Sequence, residues 1–247
     1  MTSKRTPSHT PSTLPPLMPT VRRRQPTQTP ARAAAALLAL AAACGLAGCA
    51  SSLPFHYYTL LDTTPAVDAT TTAGTTAKPV LIAVQSPTLP TQVTRPQLVL
   101  SEPGGQISIR EQERWSQPLA AEIQQALSQD LTRALPAIDV ARTVHADSQP
   151  VYRVGLDVQR FETTTHGGVT LDVVWSVAGA PDGTPMVCRD VQHQTTAQPA
   201  GIDTARSTPA TDYVALVDAQ RHALQRVAQH VAAAIRAEQD GQTASCP

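Results

Sequence analysis

The stretch VYRVGLDVQRFETTTHGGVTLDVVWSVAGAPDGTPMVCRDVQHQT, residues 151–195, decides the fold. From Val151 to Phe161, apolar Tyr152, Val154, Leu156 and Val158 alternate with polar Arg153, Asp157 and Gln159. Val169, Leu171, Val173, Trp175 and Val177 repeat the period of two, and Pro185 to Thr195 repeats it more weakly. Successive side chains of a strand point to opposite faces, so each run predicts a strand with one covered face. The joints His166-Gly167-Gly168 and Pro181-Asp182-Gly183 are too short to hold a crossover helix, which makes the three strands an antiparallel meander.

Outward from the meander the period changes. Leu216, Val217, Leu224, Val227, Val231 and Ile235 form one stripe of a helix predicted over about Thr211 to Glu238. Leu119, Ile123, Ala126, Leu127, Leu131 and Leu135 form another, with Pro118 suited to the first turn. Val80 to Val84, a short apolar run between Pro79 and Pro87, reads as a buried strand. Leu98-Val99-Leu100 and Ile107-Ser108-Ile109 flank Pro103-Gly104-Gly105 and predict a hairpin. Phe55 to Leu61 is aromatic and β-prone, a first strand. Residues 62–79 are Thr, Ala and Pro without a period and read as a loop. The expectation is a single α/β domain, a mixed or largely antiparallel sheet of five to six strands packed with two long helices.

The N-terminus has a different logic. Residues 1–30 are rich in Pro, Thr and Ser and offer nothing to a core. A wholly apolar run, Ala33 to Ala43, follows Arg32 and leads to Cys44-Gly-Leu-Ala-Gly-Cys49. A basic flank, about 11 apolar residues and small residues before a cut site make a secretory signal peptide, too short for a stable membrane span. Leu46-Ala47-Gly48-Cys49 resembles a bacterial lipobox, which implies acylation of Cys49 and cleavage after Gly48. The alternative is an Ala-rich helix with a buried cysteine. Translation starts at Met1 or at Met18, which would give a signal of more usual length. Ala50 rather than Asp follows the cysteine, and by analogy with lipoprotein sorting this implies release to the outer membrane. Residues 49–54 would then be a lipidated tether and 55–247 the folded body.

Charge follows from that cut. The whole chain has 247 residues with 19 Lys+Arg against 19 Asp+Glu. Lys4, Arg5, Arg22, Arg23, Arg24 and Arg32 precede Cys49 and no acidic residue does, so the remaining 199 residues carry a net charge of −6. An acidic body excludes nucleic-acid binding as the default and leaves no polybasic membrane anchor.

Chemistry is sparse. Neither G-x-S-x-G, H-E-x-x-H, C-x-x-C nor a phosphate-cradling loop with lysine occurs. His56, His145, His166, His193, His222 and His230 are scattered, and the acidic residues pair into no acid/base couple. No cofactor, metal or catalytic residue is expected. Cys188 and Cys246 remain after Cys44 is removed and Cys49 acylated. In an oxidising periplasm they form a disulfide closing about 58 residues, or stay as two free thiols.

The lipobox, Tyr57-Tyr58-Thr-Leu60, Ile82-Ala-Val-Gln-Ser-Pro-Thr-Leu-Pro90, Arg95-Pro96-Gln97-Leu-Val and Arg114-Trp115-Ser-Gln-Pro118-Leu119 together resemble the PqiC-like family, also called ABC-type transport auxiliary lipoproteins. The likeness runs through Phe55 to Leu135 by motif and beyond it by element order. It implies an outer-membrane lipoprotein of a lipid-transport system. Its partners would be an inner-membrane-anchored MCE-domain protein of the periplasm and, through it, a permease and an ATPase. On the residues themselves, Tyr57, Tyr58, Arg95 and Trp115 have two readings, structural packing or partner contact. A lipid- or small-ligand-binding lipoprotein is the competing function.

Overall fold

A computed structural model describes residues 54–62, 79–143, 150–179, 184–196 and 212–247. Among them are eight strands: β1 (His56–Tyr58), β2 (Val80–Val84), β3 (Gln97–Ser101), β4 (Ile107–Trp115), β5 (Ala137–Asp139), β6 (Val151–Thr163), β7 (Gly168–Ala178) and β8 (Met186–Thr195). Two α-helices, α1 (Leu119–Ala134) and α2 (Tyr213–Gln239), complete the fold.

The meander is the larger part of a five-stranded sheet of order β5-β2-β6-β7-β8. Strands β6, β7 and β8 are antiparallel neighbours, whereas β2 runs parallel to both β5 and β6, so the sheet is mixed. All five residues of β2 are buried, as a strand paired on both sides and covered on both faces requires. In β6 the inward residues are Tyr152, Val154, Leu156 and Val158, and then Phe161 and Thr163. The phase slips because the pairing with β7 shifts between Val158 and Arg160. A bulge there lets the successive polar residues Gln159 and Arg160 both stay outside while Phe161 returns to the core. The turn into β7 is made by Gly167, whose φ of 87° is a left-handed conformation open to glycine.

Helix α2 lies across β7 and β8 and packs against α1. Its stripe, including Leu224, Val227, Val231 and Ile235, meets Trp175, Val173 and Leu171 in one apolar core. Burying such side chains stabilises the fold by about 1.5–3 kcal/mol each.

The hairpin predicted around Pro103-Gly104-Gly105 forms, but in a second sheet. Strand β4 lies between β3, which is antiparallel to it, and β1, which is parallel. The strand count therefore exceeds the expected five to six, although the five-stranded sheet with two long helices matches the expected plan. The two sheets meet where the Thr165 N–H donates to the Ser101 carbonyl at 3.2 Å. The first strand is shorter than expected, because after Tyr58 the chain leaves the sheet. Cys49, the turn at residues 181–183 and most of the Thr-rich loop lie outside the described residues.

Candidate functional site

Where the chain leaves β1 it becomes a strap bonded to both helices. Leu60 is fully buried. Its N–H donates to a Glu122 carboxylate oxygen at 2.9 Å, and the Thr59 hydroxyl donates to the same oxygen at 2.7 Å. The other Glu122 oxygen accepts from the Ser116 hydroxyl at 2.6 Å. Glu122 is itself fully buried, in the first turn of α1. Three donors and the helix N-terminus are what offset its desolvation.

From the other helix, Arg221 donates to the carbonyls of Thr59 and Leu60 at 3.1 and 3.2 Å, while ion-pairing with Asp218. Two turns further along α1, Gln129 accepts from Asp62 N–H and donates to Asp62 C=O, at 3.0 and 3.2 Å. Arg133 closes the series on the Asp62 carboxylate at 2.7 Å. Strap atoms thus find partners on both helices, and backbone satisfaction of this kind is how a segment without regular structure is held at fixed position.

Asp130 lies beside this array, 9% exposed and 3.8 Å from Arg133. Burial pushes its carboxyl up from 3.8 to about 6; Arg133 opposes this, Asp62 adds to it, and Arg221 opposes it again. The folded state therefore binds this proton more tightly than the unfolded chain. Stability from this group is present below about pH 4 and is lost as pH rises to about 6. Allowing for solvent screening, the loss is roughly 1–2 kcal/mol. The variant Asp130→Asn should gain that much on wild type between pH 4 and pH 7 in urea melts. A stability difference that does not change with pH would contradict the assignment.

The residues singled out from sequence fall in different places. Tyr58 is half-buried; its hydroxyl donates to Glu113 at 2.6 Å, and its ring sits 6.4 Å from that of Tyr213 at the start of α2. Burial, then the Glu113 hydrogen bond, holds its hydroxyl well above the usual phenol range. Tyr57, on the opposite face of β1, is 63% exposed. Trp115 is a core residue instead of a surface contact, with its ring edge-on to Phe161 at 6.3 Å. Arg95 sits in the β2–β3 connection and donates to the Gln92 carbonyl at 3.2 Å, closing a local turn. Cys188 and Cys246 are disulfide-bonded, with Cα atoms 5.4 Å apart.

Glu122, Gln129, Arg133 and Arg221 were not singled out. The signal for Glu122 and Asp130 is visible in retrospect: both occupy the apolar phase of α1, between Leu119 and Ile123 and before Leu131. An acid in that phase must find donors inside the fold.

No group of His, Cys, Asp and Glu among the described residues is arranged to hold a metal ion. No described helix is long and apolar enough to cross a membrane. The small cavity between Leu98, Trp115, Leu119 and Phe161, which Thr163 and Gln220 also line, has a volume of about 10 Å³, room for one water.

Two crystal structures share the fold. One is of an uncharacterised protein, 15% identical, with a TM-score of 0.53, covering 74% of this chain and 99% of that one. The other is a Xanthomonas campestris protein assigned to the family DUF330, 18% identical, with a TM-score of 0.52, covering 76% and 100%. No curated protein matches the chain. The model of the ABC-type transport auxiliary lipoprotein component family matches residues 58–232, from the strap-bearing strand almost to the end of α2. That span takes in the strap, α1, the whole meander and most of α2, and the chain belongs to this family of auxiliary lipoproteins.

Proposed function

We propose that the chain is a non-enzymatic docking lipoprotein of an MCE-type intermembrane lipid-transport system, anchored to the outer membrane by acylated Cys49 and facing the periplasm. The observation that carries this reading is the strap. A lipid anchor is useful to a docking subunit only if force on the anchor reaches the folded body, and β1, paired to β4, followed by Thr59 to Asp62, bonded to both helices, offers that path. The family match adds a transport-auxiliary role, and the lipobox resemblance adds the acyl chains. A body of about 190 residues has a radius of gyration near 16 Å. It cannot bridge two membranes itself, so the MCE-domain partner, with the permease and ATPase beyond it, supplies the reach.

The competing reading, a carrier that encloses a lipid, needs an apolar cavity of acyl-chain size. The cavity beneath Trp115 and Phe161 is far smaller, and the two larger hollows among the described residues, about 310 Å³ beside Gln125, Ser128, Asp139 and Arg142 and about 200 Å³ beside Val177, Met186 and Glu238, are open clefts with polar side chains in their walls. Replacing Cys49 by alanine should leave a folded periplasmic protein that still cross-links to the MCE-domain protein but no longer sediments with membranes. Recovery of that variant in the outer-membrane fraction would sink the anchoring claim, and loss of cross-linking to any MCE-domain protein in wild-type cells would sink the docking claim.

A further inference from the structure

The outer face of the small sheet collects apolar side chains that the core does not use. Register places Tyr57 opposite Arg114, Val99 opposite Ile109 and Ser101 opposite Ile107. Leu98 and Leu100 point inward, so these residues share the other face. Phe55, Tyr57, Ile107 and Ile109 are four of the eight large apolar residues that are exposed among the described ones. The Arg114 guanidinium lies 4.1 Å from the centre of the Phe55 ring.

The aromatics make the face distinctive. All eight aromatic residues of the chain are described, and only Phe55 and Tyr57 are exposed. Both stand at the end of the domain where the tether begins. Phe55 lies six positions after Cys49, at most about 20 Å of extended chain. From Thr59 onward the strap is fixed to the helices, so this face cannot move away from an anchored Cys49 by more than that length. Phe and Tyr with a neighbouring cation suit the boundary between headgroups and acyl chains, where an apolar ring body and a polar tip are both satisfied.

We infer that the outer face of β1-β4-β3 lies against the phospholipid bilayer, with Phe55 and Tyr57 entering the headgroup boundary and Arg114 at the level of the phosphates. This rests on acylation of Cys49 as proposed above. It sets the orientation of the domain on the bilayer and requires that Val187 and Val191, exposed on β8 of the other sheet, stay clear of the lipid.

The acylated full chain carrying Tyr57→Trp, in vesicles of phosphatidylethanolamine and phosphatidylglycerol, tests this directly. Trp115 and Trp175 are both buried, so the introduced indole dominates any environmental change. The expected result is co-flotation with the vesicles, a blue shift, and loss of emission when the lipids carry bromine near the glycerol end of the acyl chains. The variant Val191→Trp should float equally and keep its emission. Failure to float overturns both the anchor and the orientation built on it. Flotation without quenching overturns the orientation alone, and a blue shift without quenching would assign the face to a second copy. Equal quenching of both variants would mean no fixed orientation and also overturns it.

Discussion

Replacing Glu122 by alanine is expected to destabilise the domain by about 4 kcal/mol and to release the strap. Hydrogen bonds to a charged acceptor contribute about 1.5–3 kcal/mol each, and they do not simply add. Three donors lose their partner in this variant: the Thr59 and Ser116 hydroxyls and the buried Leu60 N–H. The hydroxyls can turn towards other acceptors. The Leu60 amide cannot, and an unpaired buried donor costs about 1–3 kcal/mol by itself. A loss of this size is a large part of the roughly 5–15 kcal/mol that holds a domain together. Glu122→Gln keeps the volume and one acceptor oxygen, so it should lose about half as much. Urea melts give the energies, and hydrogen exchange at the Leu60 amide gives the location. A Glu122→Ala protein within about 1 kcal/mol of wild type, with that amide still protected, would show that the strap is held by packing of Leu60 alone. Since Thr59 to Asp62 follow β1 in the chain, the same variant should loosen this strap before the domain unfolds globally.

What could be read from sequence divides along physical lines. The meander and both helices were legible because their periods are sustained, over Tyr152 to Val158 and Val169 to Val177 in the strands and over 16 and 27 residues in the helices, and tertiary context had little to override. The hairpin was legible from Pro103-Gly104-Gly105, where two consecutive glycines sit at positive φ. What escaped was long-range pairing. Strand β5 is three residues long, too short to show a period, and becomes a strand only because β2 offers it a parallel edge. The second half of β4 reads REQERW and has no alternation, because the register with β3 slips between Gln97 and Leu98 and the tail of the strand is completed by β1. No local feature of β1 says that its neighbour lies more than fifty residues away. The same limit applies to the strap: Glu122 in an apolar phase announces buried donors, but nothing nearby in sequence says they belong to Thr59 and Leu60. The disulfide was legible by a different route, since the compartment and the count left two thiols, and either a bridge or two free cysteines.

Opening the Cys188–Cys246 bridge is the second change expected to be large, about 4 kcal/mol for a separation of 58 residues in the chain-entropy account. The closed loop contains all of α2, and the bridge fastens the tail beyond that helix to β8, the edge strand of the five-stranded sheet. Cys188 is buried and Cys246 is exposed, so the two positions are not equivalent probes. A serine at 188 would bury a hydroxyl and add its own penalty. Cys246→Ala is the cleaner variant, because it leaves Cys188 in place as a small apolar side chain. For a domain of this size the loss corresponds to a fall in melting temperature of roughly 10 °C. Reductant should lower the wild-type protein by the same amount and leave Cys246→Ala unchanged. If the wild type titrates as having two free thiols and melts at the same temperature with and without reductant, the bridge makes no contribution. The comparison also bears on compartment, because the cytosol keeps such thiols reduced. Protein exported to the periplasm should show the full stability, and the same chain retained in the cytosol should match the reduced form.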